Sequence, residues 1–480
     1  MNHGKNYLLI SQIFLLSALS ISCISKGSQR LKTPNIIVIL TDDLGWADTG
    51  YQGNRYFETP NIDKMASEGL IMNRFYPSAA NCAPSRACLL TGMYGPRHGV
   101  YIPQGYARGG NVEHMRFKVP VQGKDSSFFN FHVSVNHVEP GFTSLAELLK
   151  PAGYVSSRLG KWHIGDDNQG FDENSANGVP GYITNINGTE DRFYDDTSVA
   201  EKLTDSAIDF IKRNKDKPFF LYLSHWEVHT PMAAQQDRIE YYRGKAERLG
   251  LKNANDVYAA EVEVLDVSLG RMLRALGDFG LEDNTIVIFT SDNGGLSSQT
   301  ENAPLRGGKG SYYEGGIRVP FVVRWPASIP AGKRSEVAAI GVDFMPTFAE
   351  ITGASLPETQ PIDGHSLLDV WKNPGSSLER PIFFHFPLYL GGDERTAVLP
   401  KFGGSEPYWR AVPSSIIMKG PWKLIYYYEY ESYEIYNLEE DISESVNLAG
   451  SLPDLENELL MTLRKWVEET DAPVPKVLNK

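Results

Sequence analysis

Residues 284–295 read NTIVIFTSDNGG. An amphipathic helix would repeat its apolar residues every three or four positions, and a half-exposed strand would alternate them. This run does neither; it is short, continuously apolar and ends abruptly in polar residues. That pattern fits a strand buried on both faces, as the strands of a parallel sheet are. NIIVIL (35–40) and PFFLYLSHW (218–226) repeat it, with helical stretches such as TSLAELLKPAG (143–153) and TDSAIDFIKRN (204–214) between them. The pattern predicts an α/β fold: a large doubly wound, mixed or parallel sheet with helices on both faces.

Working outward, composition shifts at KNPGSSLERP (372–381), a Pro/Gly/Ser-rich link. Beyond it, SSIIMKGPWKLIYYYEYESYEIYNL (414–438) reads as antiparallel strands with a Lys-Gly-Pro turn. Leu455, Leu459, Leu463 and Trp466 then follow helical spacing and should dock a terminal helix on that sheet. The expected organisation is a large α/β domain over 33–375 and a smaller α+β domain over 376–480. At the other end Lys5 precedes the apolar run YLLISQIFLLSALSIS, which stops at Cys23. A run of about 15 residues has the length of a secretory leader and is shorter than the roughly 20 needed to span a bilayer. Residues 1–23 are therefore read as a signal peptide. Ser20-Ile21-Ser22-Cys23 resembles a relaxed bacterial lipobox, which would make Cys23 a lipid anchor and the protein a periplasmic or cell-surface lipoprotein. An ordinary leader with an incidental cysteine is the alternative. Lys and Arg total 46 against 59 Asp and Glu, a net charge of −13 with no basic tail. Nucleic acid is excluded as an expected partner, and an anionic ligand would need locally gathered cations.

Each buried run leads into polar residues: Thr41-Asp42-Asp43, Ser224-His225 on to His229, and Ser291-Asp292-Asn293. In open α/β sheets ligands bind at the carboxyl ends of the strands, so these groups should converge. An oxygen-rich set suits a hard divalent cation such as Ca²⁺, whereas zinc prefers nitrogen and sulfur. Cations come in short clusters too. GKWHIG (160–165) places Lys161 and His163 two apart, on one side of an extended segment, and LRGGKGSYYEGG (305–316) carries Lys309 in a Gly-rich loop. Singly, these lysines would be surface groups and the histidines core groups; together they describe an anion pocket for a tetrahedral oxyanion, sulfate or phosphate.

Within NCAPSRACLLTG (81–92), Pro84 suggests a helix beginning near Cys82. Six helical residues separate Cys82 from Cys88 by about 9 Å, beyond the roughly 7 Å limit of a disulfide. Cys88, among Ala87, Leu89 and Leu90, reads as a buried small hydrophobe. Cys82 is left as a thiol at a helix N-terminus beside Arg86, where anions are favoured.

At this point the chain resembles the formylglycine-dependent sulfatases of the alkaline phosphatase superfamily. Cys82-Ala83-Pro84-Ser85-Arg86 with LLTG is similar to the Cys-x-Pro-Ser-Arg signature, and GYVSSRLGKWHIG (153–165) to the second signature. TDDLGW, HTP, SDNGG, LRGGKGSYYEGGIRVP and YNLEEDISESVNLA (436–449) follow in family order, so the likeness spans about 33–470. Asn81 and Leu159 depart from the usual residue types, and 101–142 matches no motif and is expected to be a substrate-facing insertion.

The resemblance implies that a maturation enzyme oxidises Cys82 to formylglycine (3-oxoalanine). Asp42, Asp43, Asp292, Asn293 and the modified Cys82 would hold one Ca²⁺. The aldehyde hydrates to a diol, one hydroxyl attacks sulfur, and the second then expels the sulfate, which a thiol could not do. Arg86, Lys161 and Lys309 would hold sulfate oxygens. His229, with Lys309, would protonate the departing oxygen, and His163 would act as base. A sulfated carbohydrate is the expected substrate, with Arg97, His98, Trp226, Glu227, Trp409 and Arg410 as candidates for contacting the sugar. Two alternatives stand beside it: a phosphodiesterase or phosphonate hydrolase of the same superfamily, and a non-catalytic glycan-binding lipoprotein with Cys82 unmodified. No second set of Asp and His ligands for a two-zinc site is found. Asn187-Gly188-Thr189 is a sequon expected to go unused in a bacterial lipoprotein.

Overall fold

The computed structural model describes residues 33–102, 114–117, 135, 137–165, 167–174 and 199–475. The leader with Cys23, most of 101–142 and the sequon at Asn187 lie outside the described residues. In chain order the strands are β1 (Asn35–Thr41), β2 (Leu70–Met72), β3 (Phe75–Tyr76), β4 (Val155–Gly160), β5 (Glu173–Asn174), β6 (Phe219–Ser224), β7 (Thr285–Ser291), β8 (Phe321–Arg324), β9 (Lys333–Ser335), β10 (Ala339–Ile340), β11 (Ile382–Phe386), β12 (Leu390–Gly391), β13 (Leu399–Pro400), β14 (Pro407–Ala411), β15 (Ser414–Lys419), β16 (Trp422–Tyr427) and β17 (Ser432–Asn437). Eight of them form one sheet in the order β5-β4-β6-β1-β7-β8-β2-β9.

The three apolar runs are its centre. β6, β1 and β7 lie side by side and parallel, and every residue of the three is buried. Successive side chains of a strand point to opposite faces, so a strand buried throughout needs cover on both. Ile36, Val38, Leu40, Ile286 and Ile288 pack with the helices Cys82–Thr91, Leu145–Leu149 and Phe344–Thr352. Ile37, Ile39, Leu221, Val287 and Phe289 pack on the other face with the helices Pro60–Glu68, Val199–Asn214 and Asp256–Asp278. The sheet is mixed because β8 runs antiparallel to β7 and β2. No helix among the described residues is long and apolar enough to cross a membrane.

The second sheet, β11-β15-β16-β17, is antiparallel throughout. The Lys-Gly-Pro turn joins β15 to β16, with Gly420 at φ +58°. The helix Pro453–Glu469 docks through buried Leu459, Leu463 and Trp466, whose indole stacks on Phe383 at 4.7 Å between ring centroids. Tyr76, Cys88 and Tyr94 join the same apolar cluster, so the second sheet packs directly against the segment around Cys82.

Candidate active site

Strand register brings the acidic groups together. Thr41 of β1 is paired with Ser291 of β7, and the amide of Asp292 continues that ladder onto the Thr41 carbonyl at 3.1 Å. The residues that follow each strand, Asp42-Asp43 and Asp292-Asn293, therefore emerge as neighbours although 249 or more positions apart. Asp43 takes φ +65°, which turns the chain off the end of β1. On the other side β4 ends at Gly160 opposite Ser224 of β6, and this delivers Lys161 to the same edge. Gly160 has φ +89°, and a Cβ there would stand 1.8 Å from the Ser224 carbonyl oxygen, so only glycine fits.

Cys82 enters from above as the first residue of its helix, 4% exposed. Cys82 and Cys88 are both unbridged, as the helical spacing required. Ligand atoms of Asp42, Cys82 and Asp292 lie within 4.8 Å of one another, and so do those of Asp42, Asp43 and His229. Asn293 donates from Nδ2 to Asp43 Oδ1 at 2.8 Å. Asn293 Oδ1 and Asp42 Oδ1 are buried acceptors without a hydrogen-bond partner. Buried polar oxygens are rarely left so. Three buried carboxylates and two unpartnered oxygens, with one sulfur and no nitrogen ligand other than His229, fit a hard divalent cation of the Ca²⁺ type.

Two ammonium groups balance part of this charge. Lys161 pairs with Asp42, and Lys309 Nζ lies 2.7 Å from Asp43 Oδ1. Burial and then Asp292 push Asp42 well above the usual carboxylate range despite Lys161. Burial works the same way on Asp43, but Lys309, His229 and Lys161 outweigh it and hold Asp43 low. Burial, followed by Lys161, depresses both His163 and His229, so each imidazole is neutral. His229 Nδ1 lies 2.6 Å from the Thr230 carbonyl, which can only accept; Nδ1 therefore carries the proton. Nε2 is left as the atom facing the site, 3.9 Å from Asp43 Oδ2.

Other expectations are redirected by packing. Arg86 is fully buried, and Nε and Nη2 both reach Asp292 Oδ2, at 2.9 and 2.6 Å. Nη1 donates to the Lys161 carbonyl at 2.9 Å and to Ser224 Oγ. Arg86 thus holds the strand-end residues in place and has little left for a sulfate oxygen. His163 does not share an extended face with Lys161, because β4 has ended and His163 sits at φ +70°; its Nδ1 lacks a hydrogen-bond partner.

Among the sugar-contacting candidates, Trp409 is 0% exposed inside the second core, beside Tyr389, and cannot face a substrate. His98 is also buried, with Nε2 3.3 Å from the Cys88 sulfur and Nδ1 accepting from the Val100 amide. Arg97 is tied to Asp363 at 2.8 Å, and Glu227 accepts from the Trp226 amide. Both are fixed by local partners. Trp226 does stand at the site, with Lys161 Nζ 5.7 Å from its ring centroid, and Arg410 lies against Gly310, next to Lys309.

Sequence reasoning missed a brace under the carboxylates. Asp48 accepts from Tyr258 Oη at 2.5 Å, Thr300 Oγ1 at 2.8 Å and the Gly45 amide at 2.9 Å, and Tyr258 also reaches the Asp43 carbonyl. Burial pushes Asp48 up to about 6. Asp48 could have been suspected from its place in TDDLGWAD, but Tyr258, in the first turn of the helix Asp256–Asp278, carries no local signal of this contact.

Residues 34–354 match the family profile described as Sulfatase, and 308–471 match one described as N-sulphoglucosamine sulphohydrolase, C-terminal. A protein of Formosa agariphila called Sulfatase is 32% identical over 96% of this chain and 93% of its own length. The Homo sapiens N-acetylgalactosamine-6-sulfatase is 34% identical over 73% of this chain and 68% of its own. Among solved structures, Ps i-CgsB in complex with k-i-k-neocarrahexaose superposes with a TM-score of 0.70 at 29% identity, covering 91% of this chain and 93% of that one.

Proposed function

The chain belongs to the sulfatase family, and from that premise we propose that it removes sulfate from a sulfated carbohydrate through Cys82 in its formylglycine form, assisted by Ca²⁺. It is a sulfuric ester hydrolase. The carbohydrate class is supported by relatives whose names specify a sulfated amino sugar and by a similar protein solved with a carrageenan oligosaccharide. The observation that carries the chemistry is the convergence of Asp42, Asp292 and Cys82 within 4.8 Å, with the buried oxygens of Asp42 and Asn293 unpartnered.

Asp42, Asp43, Asp292, Asn293 and residue 82 would hold the cation, which supplies positive charge that acidifies a hydroxyl beside it. Formylglycine supplies a hydrated aldehyde, with one hydroxyl as nucleophile and a second to release sulfate. The remaining work belongs to side chains already in place. Lys161 and Lys309 border the carboxylates and are the cations available to sulfate oxygens. Arg86 keeps Asp292 oriented through two bonds to one oxygen. His229, its Nδ1 proton committed to Thr230, is open at Nε2 alone, so it must first take a proton there, becoming imidazolium, before it can pass that proton to the leaving oxygen. Neutral His163 has a lone pair free for the opposite transfer. We place this work outside the cytoplasm, with Cys23 as a lipid anchor; support for that comes from the leader alone.

The test combines mass and turnover. Protein from a host with the maturation enzyme should carry an aldehyde in place of the thiol at residue 82. It should release sulfate from members of a panel of regiospecifically sulfated sugars and spare phosphate diesters, and Cys82→Ala should be inactive. A retained thiol in fully active protein, or faster turnover of phosphate diesters, would overturn the reading.

A further inference from the structure

The small sheet β12-β14-β13 meets the Gly-rich loop that delivers Lys309 at Gly310, against which Leu390 of β12 and Arg410 of β14 lie. Along β14, Trp409 and Ala411 point inward and are buried, so Tyr408 and Arg410 share the opposite, half-buried face. Arg410 lies nearest the reaction centre. A Cβ on Gly310 would stand 3.2 Å from Arg410 Cδ, and the Gly310 amide donates to the carbonyl of Ala80, two residues before Cys82. Arg410 Nε is fixed by the Gly391 carbonyl at 3.0 Å.

Two positions along the strand, about 7 Å further out, the Tyr408 ring packs edge-on against His114 with centroids 4.8 Å apart. Lys401 Nζ lies 5.4 Å from the Tyr408 centroid. The carboxylate that faces Arg410, Asp393, is held low first by its bond from Thr396 and also accepts the Arg395 and Thr396 amides. Arg410, Tyr408 and Lys401 thus set a guanidinium, an aromatic ring and an ammonium beside one another.

We propose that Arg410, Tyr408 and Lys401 form a subsite for the neighbouring sugar of an anionic glycan: the ring takes the apolar face of the sugar, and the two cations take a second sulfate or a carboxylate beyond the one removed. The inference rests on the sulfatase reading and adds to it that the substrate is an oligosaccharide bearing more than one charge.

Binding to catalytically silent protein separates the two ideas. In a Cys82→Ser background, affinities are measured calorimetrically for carrageenan and chondroitin 6-sulfate hexasaccharides and for galactose 6-sulfate. Arg410→Ala and Tyr408→Ala should each weaken the better-bound hexasaccharide at least tenfold and change monosaccharide binding less than twofold, while Arg410→Lys keeps at least a third of the affinity. Matching circular dichroism spectra and melting curves check the fold of each variant. Equal losses on hexasaccharide and monosaccharide, no loss on either, or failure of the parent to bind either hexasaccharide would overturn the subsite. Should the Cys82 protein release no sulfate from any sugar while this binding pattern holds, the hydrolase reading falls and the subsite stands.

Discussion

Lys423 is the side chain whose removal tests most directly how the second sheet is tied to the catalytic loop. It is fully buried on β16, and its Nζ lies 3.0 Å from Glu314 Oε1 and 2.8 Å from Glu444 Oε1, both carboxylates also being 0% exposed. Glu314 opens the short helix Glu314–Ile317 directly after the loop that holds Lys309, and its amide donates to Glu444 Oε2 at 2.6 Å. Lys423→Met keeps the length of the side chain and removes the charge. Breaking a buried pair in this way costs about 3–5 kcal/mol, because the carboxylates are left facing each other without compensation. Glu314 retains Tyr76 Oη at 3.0 Å and Arg318 at 3.4 Å, so the excess falls on Glu444. The sign of the pH effect follows. Burial already pushes Glu444 up to about 7, with Lys423 opposing it and Glu314 adding to it. A carboxyl raised in the folded state binds more protons there than in the unfolded chain, so stability is greatest below the unfolded pKa and falls as pH rises through the folded one. Without Lys423 the folded pKa rises further and the loss extends to higher pH. Urea unfolding followed by tryptophan fluorescence should show a deficit for Lys423→Met that is larger at pH 8 than at pH 5 by at least about 1.4 kcal/mol, the equivalent of one pKa unit. Adding Glu444→Gln should restore about half of it. A deficit below about 1 kcal/mol, or one independent of pH, would refute the reasoning.

Trp409→Ala empties a fully buried site and should cost about 3–5 kcal/mol in the same unfolding assay; a loss under about 1 kcal/mol would mean that the indole is not core. Chelation with EDTA should abolish sulfate release and Ca²⁺ should restore it, while Ca²⁺ at about 100 times its Kd should raise unfolding free energy by about 2.7 kcal/mol. Full turnover in metal-free protein is the contrary result. Arg86→Lys keeps the charge but loses the double contact with Asp292 Oδ2, so kcat should fall about 100-fold, about 2.7 kcal/mol of barrier, with KM changed less than threefold. A change confined to KM would instead put Arg86 on the substrate.

What could be read from the amino acids alone is what depends on near neighbours. The unbroken apolar runs in β1, β6 and β7 demanded cover on both faces, and parallel packing in a helical sandwich is how such strands are covered. Asp42, Asp43, Asp292 and Asn293 followed as strand-end residues, Cys82 as a helix start too far from Cys88 to bridge, and Leu459, Leu463 and Trp466 as one face of a helix. The tertiary structure alone decided which charges meet. Lys161 finds Asp42 across 119 positions and Lys309 finds Asp43 across 266, while Arg86 spends its donors on Asp292, Ser224 and a carbonyl. Trp409 and His98, polar-tipped residues that suit a sugar site by type, are buried, the first in the apolar cluster it shares with Tyr389 and the second against Cys88. The Asp48–Tyr258 brace and the Lys423 pair likewise left no local trace. Burial periodicity is written into consecutive residues, whereas an ion pair or hydrogen bond is chosen by whichever group the completed fold places within about 3 Å.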